Sequence, residues 1–262
     1  MEKLFIIKIG GNVLDNAAAL HSFLDDFASV EGRKILIHGG GKIATKLGDQ
    51  LGIESKYVNG RRITDAPTLN LVIMVYGGLV NKQIVASLQK LGCNAIGLTG
   101  ADGNLIKATK RPVKEIDYGF VGDVKSDGVN TTFLHALLNQ GAVPVFAPLT
   151  HADGAILNTN ADTIASVLAV AMSKFFEVRL IYCFEKRGVL MDVNQADSVI
   201  THLPKKLYDD LLTKSVFADG ILPKLENAYD AINSGVKEVL IGEATDLLKN
   251  TGAKTEGTLI TL

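Results

Sequence analysis

Two lysines lie where an ammonium group is unfavourable unless an anion is close. Lys8 interrupts the apolar run LFIIKI, which is typical of a strand covered on both faces, where an unpaired cation is costly to desolvate. Lys224 follows Pro223 at the predicted start of a helix, and a cation in a first turn opposes the helix dipole. Both positions therefore predict a nearby anion.

Glycine-rich turns follow three predicted strands, in the segments KIGGN, HGGGK and GADGN. Glycine lets the backbone approach a ligand closely and point N–H groups at an anion. Several such turns at the carboxyl ends of strands in one open α/β sheet converge on its ligand-binding crevice. The chain has neither the Rossmann fingerprint nor the P-loop, and it lacks the G-x-S-x-G elbow that an esterase needs beside HGGG.

The segment LNTNAD, at 157–162, precedes the apolar run TIASVLAVAM. Asn160 or Asp162 could act there only as a helix N-cap, or could carry chemistry. The five histidines show no pairing at metal-ligand spacing, so no metal site is predicted. His38, beside HGGGK, could help to shape that turn.

The elements that must position these residues follow an α/β pattern. Short strands rich in Ile and Val alternate with longer helical segments, which is typical of a wound sheet. Helices are predicted near 66–91, 131–140, 162–174, 205–213 and 223–234. The chain has no flexible linker, so we expect two lobes, 1–174 and 175–262, that share one continuous sheet.

The composition favours small molecules as partners. The 27 basic and 28 acidic side chains give a net charge of −1, which favours neither nucleic acid nor an anionic membrane. No signal peptide or membrane span is evident, and Cys93 and Cys183 are predicted to be buried free thiols, so a cytoplasmic location is expected. The very apolar segment TLNLVIMVYGGLVNKQIVASL predicts either a homodimer surface or full burial.

Several motifs in this order resemble the amino acid kinase family: Lys8 with GGN, then HGGG, NGRRIT, VNK, GFVGDV, LNTNAD, DGILPK and TEGTLITL. Within it they are similar to the members that phosphorylate N-acetylglutamate. The resemblance implies a three-layer αβα sandwich with a mainly parallel open sheet. It also implies ATP-dependent phosphorylation of the γ-carboxylate of N-acetyl-L-glutamate to N-acetyl-L-glutamyl 5-phosphate, in arginine biosynthesis. ATP would be the co-substrate, with Mg²⁺ held mainly through the nucleotide phosphates.

The resemblance implies a role for individual residues. Lys8 and Lys224 would stabilise the transferring phosphoryl group, and Asp162 would hold both lysines. The acylated amino acid would be bound in the lobe 1–174, which would also form the dimer, by Gly40, Gly41, Arg62 and Asn158. The nucleotide would be bound mainly in the lobe 175–262, and its phosphates would meet the N–H groups of Gly10 and Gly11.

The chain departs from the family at two places. CFEKRGVL has Phe184, Glu185 and Lys186 where the family usually has a small hydroxyl residue and Asp, so Glu185 is only a candidate nucleotide contact. Lys42 and Arg61 are extra cations beside the expected ligand. They are either surface charges or contacts of the acyl group, and in the second case N-succinyl-L-glutamate is the alternative substrate.

Two further alternatives remain open. A glutamate 5-kinase would act on glutamate with a free α-amino group, and a non-catalytic amino-acid sensor would use the same pocket without transfer. Retention of both lysines and Asp162 argues against the sensor. Arginine-inhibited members of the family carry an additional N-terminal helix that links dimers into hexamers, whereas three residues precede the first predicted strand here. The resemblance therefore implies a dimer without arginine feedback.

Overall fold

The computed structural model describes residues 1–58, 60–192, 194–214, 216–217 and 221–262. Its strands are β1 (Lys3–Ile9), β2 (Arg33–His38), β3 (Tyr57–Val58), β4 (Arg61–Arg62), β5 (Ala95–Leu98), β6 (Ile106–Lys110), β7 (Gly122–Val129), β8 (Val143–Phe146), β9 (Leu149–Ala152), β10 (Ala155–Asn158), β11 (Glu177–Phe184), β12 (His202–Pro204), β13 (Glu238–Glu243) and β14 (Thr258–Thr261). Its α-helices are α1 (Gly11–Asp15), α2 (Ala17–Ser29), α3 (Gly41–Gln50), α4 (Ala66–Val72), α5 (Asn81–Lys90), α6 (Thr131–Asn139), α7 (Ala161–Met172), α8 (Lys205–Thr213), α9 (Leu222–Asn233) and α10 (Leu247–Thr251). The motifs NGRRIT and DGILPK are described except at positions 59, 219 and 220.

The main sheet has eight strands in the order β12-β14-β13-β11-β1-β2-β8-β5. The six strands from β13 to β5 run parallel, whereas β14 pairs antiparallel with β13 and carries β12 alongside it. In the centre, β1 pairs with β11 from Lys3 opposite Glu177 to Ile9 opposite Cys183. The sheet is therefore mainly parallel, and strands from both sides of residue 175 form it together.

Helices cover both faces of this sheet. Leu4 and Ile6 of β1 belong to one buried cluster with residues of α7 and α9. Phe5 and Ile7 point to the opposite face and belong to a second cluster with residues of α2 and α5. Because side chains alternate along a strand, a run buried on both faces must be apolar at nearly every position. The molecule is thus a three-layer αβα sandwich.

A smaller sheet, in the order β10-β9-β6-β7, and the β3–β4 hairpin lie beside the main sheet. Thr64, just after β4, pairs with Gly119, and Asn158 at the end of β10 pairs with Val121. Gly119 has a φ of +74°, and a Cβ there would lie 2.2 Å from the carbonyl oxygen of Thr64, so only glycine fits. These contacts bring the hairpin and β10 to the same place.

Helices α4 and α5 are joined by a π-helical segment, Ile73–Val80, into one helical run. Asp65 caps its start by accepting a hydrogen bond from the N–H of Thr68 at 2.9 Å. By length and composition the run, residues 66–90, could cross a membrane, but 44% of its most apolar window is buried inside the molecule, and core helices pass the same test. Met74 and Leu79 remain 54% and 43% exposed, so the run is only partly covered in the monomer.

Candidate active site

Lys8 and Asp162 form an ion pair where β1 meets α7. Lys8 points to the same face of the sheet as Ile6, towards α7, and its Nζ lies 2.7 Å from Oδ1 of Asp162. Asn160 is the N-cap, because its Oδ1 accepts hydrogen bonds from the N–H groups of Asp162 and Thr163 at 2.8 and 3.1 Å. The carboxylate of Asp162 is therefore free to pair with the lysine.

Lys224 reaches the same region from the first turn of α9. Its Nζ lies 3.2 Å from the centroid of the Phe184 ring. Among the ion pairs of the described residues, Asp162 is joined to Lys8 and not to Lys224. Burial lowers the pKa of Lys224, with Lys8 acting in the same direction, whereas Asp162 and Glu185 oppose the shift.

A cavity of about 500 Å³ opens over this group. Its lining includes both lysines and Asp162 together with Gly10, Gly11 and Glu185. Gly10 is close to the lysine, since a Cβ there would lie 3.7 Å from Nζ of Lys8. Two cations and a glycine turn around one cavity are suited to a multiply charged anion such as a phosphate chain.

A second cavity of about 370 Å³ adjoins the first and shares Phe184, Glu185 and Lys224 with it. The rest of its lining is mostly apolar and includes Val189, Leu190, Val216, Ile221 and Ile241. Apolar walls beside a polar cavity suit a ligand with a flat hydrophobic end and a charged end. All these residues lie in the segment 175–262.

The second glycine turn faces a buried arginine. Gly40 has a φ of +148°, and a Cβ there would lie 2.9 Å from the ring of Tyr76, so both the backbone and the packing require glycine. Arg62 is 7% exposed and donates to the carbonyl oxygen of Gly41 at 2.8 Å and to Oγ1 of Thr45 at 2.9 Å. It also donates to Oγ of Ser55, and its guanidinium lies 4.8 Å from the centroid of the Tyr57 ring.

Asn158 is linked to the segment after Arg62 through Thr64. Its Nδ2 donates to Oγ1 of Thr64 at 3.0 Å, two residues beyond Arg62, and its N–H donates to the carbonyl oxygen of Phe120 at 2.9 Å. The two glycine turns are neighbours, since the N–H of Gly39 donates to the carbonyl oxygen of Ile9 at 3.2 Å. The structure thus places the residues predicted from LNTNAD, NGRRIT and HGGGK around neighbouring spaces.

His38 supports the second glycine turn from inside the core. Its Nδ1 lies 2.7 Å from the carbonyl oxygen of Gly39, and its Nε2 lies 3.2 Å from Nδ2 of Asn81. Burial lowers the pKa of His38 to about 4, with the Lys82 charge acting the same way against the Gly39 hydrogen bond. The imidazole is therefore neutral. The two contacts agree with Nδ1 donating to the carbonyl oxygen of Gly39 while Nε2 accepts from Nδ2 of Asn81.

A family model described as the amino acid kinase family matches residues 3–243. The chain belongs to the amino acid kinase family. It is 56% identical over 255 residues to an acetylglutamate kinase of Parabacteroides distasonis, which covers 97% of this chain and 99% of the relative. An acetylglutamate kinase of Cytophaga hutchinsonii is 57% identical over 251 residues, with 95% and 94% of the two chains covered. The crystal structure of smu.665 from Streptococcus mutans UA159 has a TM-score of 0.76 at 27% identity, and the match covers 98% of each chain.

These similarities confirm the predicted family and its α/β fold. The roles of individual residues stay predictions.

Lys42 and Arg61, the extra cations beside the expected ligand, both lie at the surface. Lys42 is exposed, and its Nζ lies 3.3 Å from Oδ2 of Asp15 and 2.7 Å from Oδ1 of Asn12. Arg61 is exposed on the hairpin, next to buried Arg62.

Two features of the site are not predicted by the sequence. Tyr76, which packs against Gly40, lies in the π-helical segment and gave no signal beyond its apolar surroundings. Phe184 was noticed only as a departure from the family, and its contact with Lys224 spans 40 positions of sequence. Such contacts depend on how α9 packs against the sheet, which no local pattern encodes.

Proposed function

We propose that the protein is an acetylglutamate kinase. It transfers the γ-phosphoryl group of ATP to the γ-carboxylate of N-acetyl-L-glutamate and forms N-acetyl-L-glutamyl 5-phosphate, a step of arginine biosynthesis. The observation that carries the proposal is the Lys8–Asp162 ion pair, 2.7 Å long, at a cavity that Lys224, Gly10 and Gly11 also line. The full-length similarity to acetylglutamate kinases supports the choice of substrate.

The reaction needs charge stabilisation more than proton transfer. A γ-carboxylate with a pKa of about 4.3 is already ionised at neutral pH, so no general base is needed. The difficulty is that one anion must approach another while negative charge spreads over the phosphoryl oxygens and the leaving group. Lys8 and Lys224 supply positive charge there, and the N–H groups of Gly10 and Gly11 are available to the phosphates.

Asp162 orients the catalytic cation. Its Oδ1 lies 2.7 Å from Nζ of Lys8, which is the distance of a charge-assisted contact. The contact holds the ammonium of Lys8 beside the cavity. In this proposal Asp162 keeps the two lysines near the reacting atoms.

The acyl amino acid is assigned to the pocket of Gly40, Gly41, Arg62 and Asn158. The guanidinium of Arg62 presents a planar set of donors that suits the α-carboxylate. Thr45, Ser55 and Tyr57 hold that guanidinium in place, so less side-chain freedom is lost when the ligand binds. Glu185 is assigned to the nucleotide, because it lines both cavities.

Magnesium enters with the nucleotide as part of the substrate. Mg²⁺ usually keeps several waters and binds substrate phosphates, with few protein ligands. Among the described residues, no group of three or more His, Cys, Asp and Glu side chains is arranged to hold a metal ion. In this proposal the metal is held mainly by the phosphates of ATP and by water.

The test is an ATP-dependent acyl-phosphate assay in which hydroxylamine traps the product. N-acetyl-L-glutamate, N-succinyl-L-glutamate and free glutamate are compared side by side, with Lys8→Met as the inactive control. We expect turnover to be highest with N-acetyl-L-glutamate. A preference for free glutamate would make the protein a glutamate 5-kinase. No turnover with any acceptor would favour the non-catalytic amino-acid sensor.

We also propose that the enzyme is a cytoplasmic homodimer. The support for the dimer is the partly exposed helical run 66–90. Its Met74 and Leu79 side chains are 54% and 43% exposed and form apolar surface that a second copy would cover. Light scattering coupled to size exclusion would give the mass of the wild type and of Met74→Lys/Leu79→Lys. A monomeric wild type would overturn the proposed dimer.

A further inference from the structure

The ammonium group of Lys224 rests on the face of an aromatic ring. Its Nζ lies 3.2 Å from the centroid of Phe184, well inside the distance of about 6 Å within which a cation is attracted by an aromatic face. Phe184 is the last residue of β11, and Lys224 is in the first turn of α9. The contact therefore joins the carboxyl end of β11 to the start of α9, beside both cavities.

Charged groups of both signs surround Lys224. Asp162, from α7, is paired at 2.7 Å with Lys8, from β1, and Glu185 follows Phe184 at the end of β11. Burial and the Lys8 charge disfavour the charged form of Lys224, whereas Asp162 and Glu185 favour it through space. The ring is the group in direct contact that favours the cation.

We propose that Phe184 is a positioning residue that holds the Lys224 ammonium charged, between the phosphate cavity and the apolar cavity, until a nucleotide phosphate binds it. This inference rests on the proposed function for its catalytic consequence, although the contact itself is independent of any substrate. Phe184 lines both cavities, so it acts where nucleotide enters. An aliphatic side chain would fill similar space but would offer no negative ring face.

The first test measures the protonation of Lys224 without substrates. Lysines are reductively methylated with ¹³C, the Lys224 resonance is assigned with Lys224→Arg, and its pKa is measured by NMR titration in wild type, Phe184→Leu and Phe184→Tyr. We expect Phe184→Leu to lower the pKa by about half a unit or more, as a cation–π contact of this kind implies. Phe184→Tyr keeps the ring and should keep the wild-type value.

An unchanged Lys224 pKa in Phe184→Leu would overturn the proposal, as would an equal drop in Phe184→Tyr. If Phe184→Leu does not fold, as judged by circular dichroism, Phe184→Met takes its place because it also lacks a ring. These titrations need no turnover. If wild type fails to phosphorylate N-acetyl-L-glutamate, the proposed function fails while the Phe184 result still stands or falls by itself.

The second test is kinetic. We expect Phe184→Leu to move the alkaline limb of the kcat–pH profile to lower pH, because Lys224 loses its proton earlier, and we expect Phe184→Tyr to restore the limb. In a Lys224→Met background the limb that belongs to Lys224 is absent, and Phe184→Leu should leave the remaining pH profile unchanged. A shift of the same size in both backgrounds would show that Phe184 acts only on packing, and it would overturn the proposal.

Discussion

Nζ of Lys8 lies 2.7 Å from Oδ1 of Asp162, although 153 positions separate the two residues in the sequence. The pairing of β1 with β11 and the packing of α7 against β1 bring them together. Lys8 is 13% exposed and Asp162 is 35% exposed, so the pair is open to a ligand on one side. Because Asp162 holds the Lys8 ammonium on one side and its other side is accessible, the ammonium can contact a phosphoryl group.

Loss of the Lys8 charge should therefore affect turnover more than folding. We expect Lys8→Met to lower kcat by roughly a hundredfold to a thousandfold, the usual cost of removing one well-aimed donor to transition-state charge. The hydroxylamine assay measures this change. Lys3→Met, at the exposed start of the same strand, is the matched control and should keep wild-type kcat; near-normal turnover of Lys8→Met would remove Lys8 from the catalytic role.

Removal of the N-cap of α7 should reduce both stability and activity. Asn160→Ala deletes the acceptor for the N–H groups of Asp162 and Thr163, and such a change usually costs about 1 kcal/mol. Because Asp162 is in the capped turn, the displaced carboxylate should also lower kcat. Urea unfolding and the kinase assay measure the two effects separately.

Asn130→Ala gives the matched comparison, since Asn130 caps α6 by accepting from the N–H of Phe133 at 3.2 Å, away from the cavities. We expect it to lose similar stability but to keep wild-type kcat. If the two variants lost activity equally, the effect of Asn160→Ala would be general destabilisation, not displacement of Asp162.

Local patterns predicted much of this arrangement. The strand with Lys8, the helix start after LNTNAD and the glycine turn before α3 each depend on a few adjacent residues, and each was predicted. The roles of Asn160 and Asp162 were not separable, because both side chains can cap a helix, and only the position of Lys8 distinguishes them. The pairing of Lys42 with Asp15 also could not be predicted from the sequence, because it depends on how α1 and α3 pack against each other.

Replacement of Arg62 should weaken binding of the acyl amino acid. We expect Arg62→Lys to raise KM for N-acetyl-L-glutamate by about tenfold or more, because lysine cannot reproduce a planar two-donor contact with a carboxylate. The KM for ATP should change little, since Arg62 lies in the other pocket. Arg33→Lys is the control, because Arg33 pairs with Glu2 at 2.9 Å far from this pocket; an unchanged acceptor KM in Arg62→Lys would contradict the assignment.

His38 should make stability depend on pH below neutrality. Its pKa is about 4 in the folded protein against about 6.5 unfolded, so the unfolded state binds the extra proton. Stability is therefore full above pH 6.5 and falls as the pH drops towards 4, by about 3 kcal/mol in total for this group. Urea unfolding at pH 7.5 and at pH 5 measures the part lost within that window.

His38→Asn should be less stable at neutral pH but should lose less stability between those two pH values than the wild type. His21→Gln is the control for loss of an exposed histidine, because the His21 side chain is 70% exposed. An equal pH dependence in wild type and His38→Asn would assign it to other groups.

The acyl preference depends on whether the charge of Lys42 is available. Its Nζ lies 3.3 Å from Oδ2 of Asp15 and 2.7 Å from Oδ1 of Asn12, so a second carboxylate would have to compete with both. We therefore expect wild type to prefer N-acetyl- over N-succinyl-L-glutamate, and Lys42→Met to change kcat/KM for the two acceptors by the same factor. Asp15→Asn frees the lysine and should raise kcat/KM for the succinyl compound relative to the acetyl compound. If Lys42→Met selectively abolished activity on N-succinyl-L-glutamate, Lys42 would be a contact of the acyl group despite its ion pair.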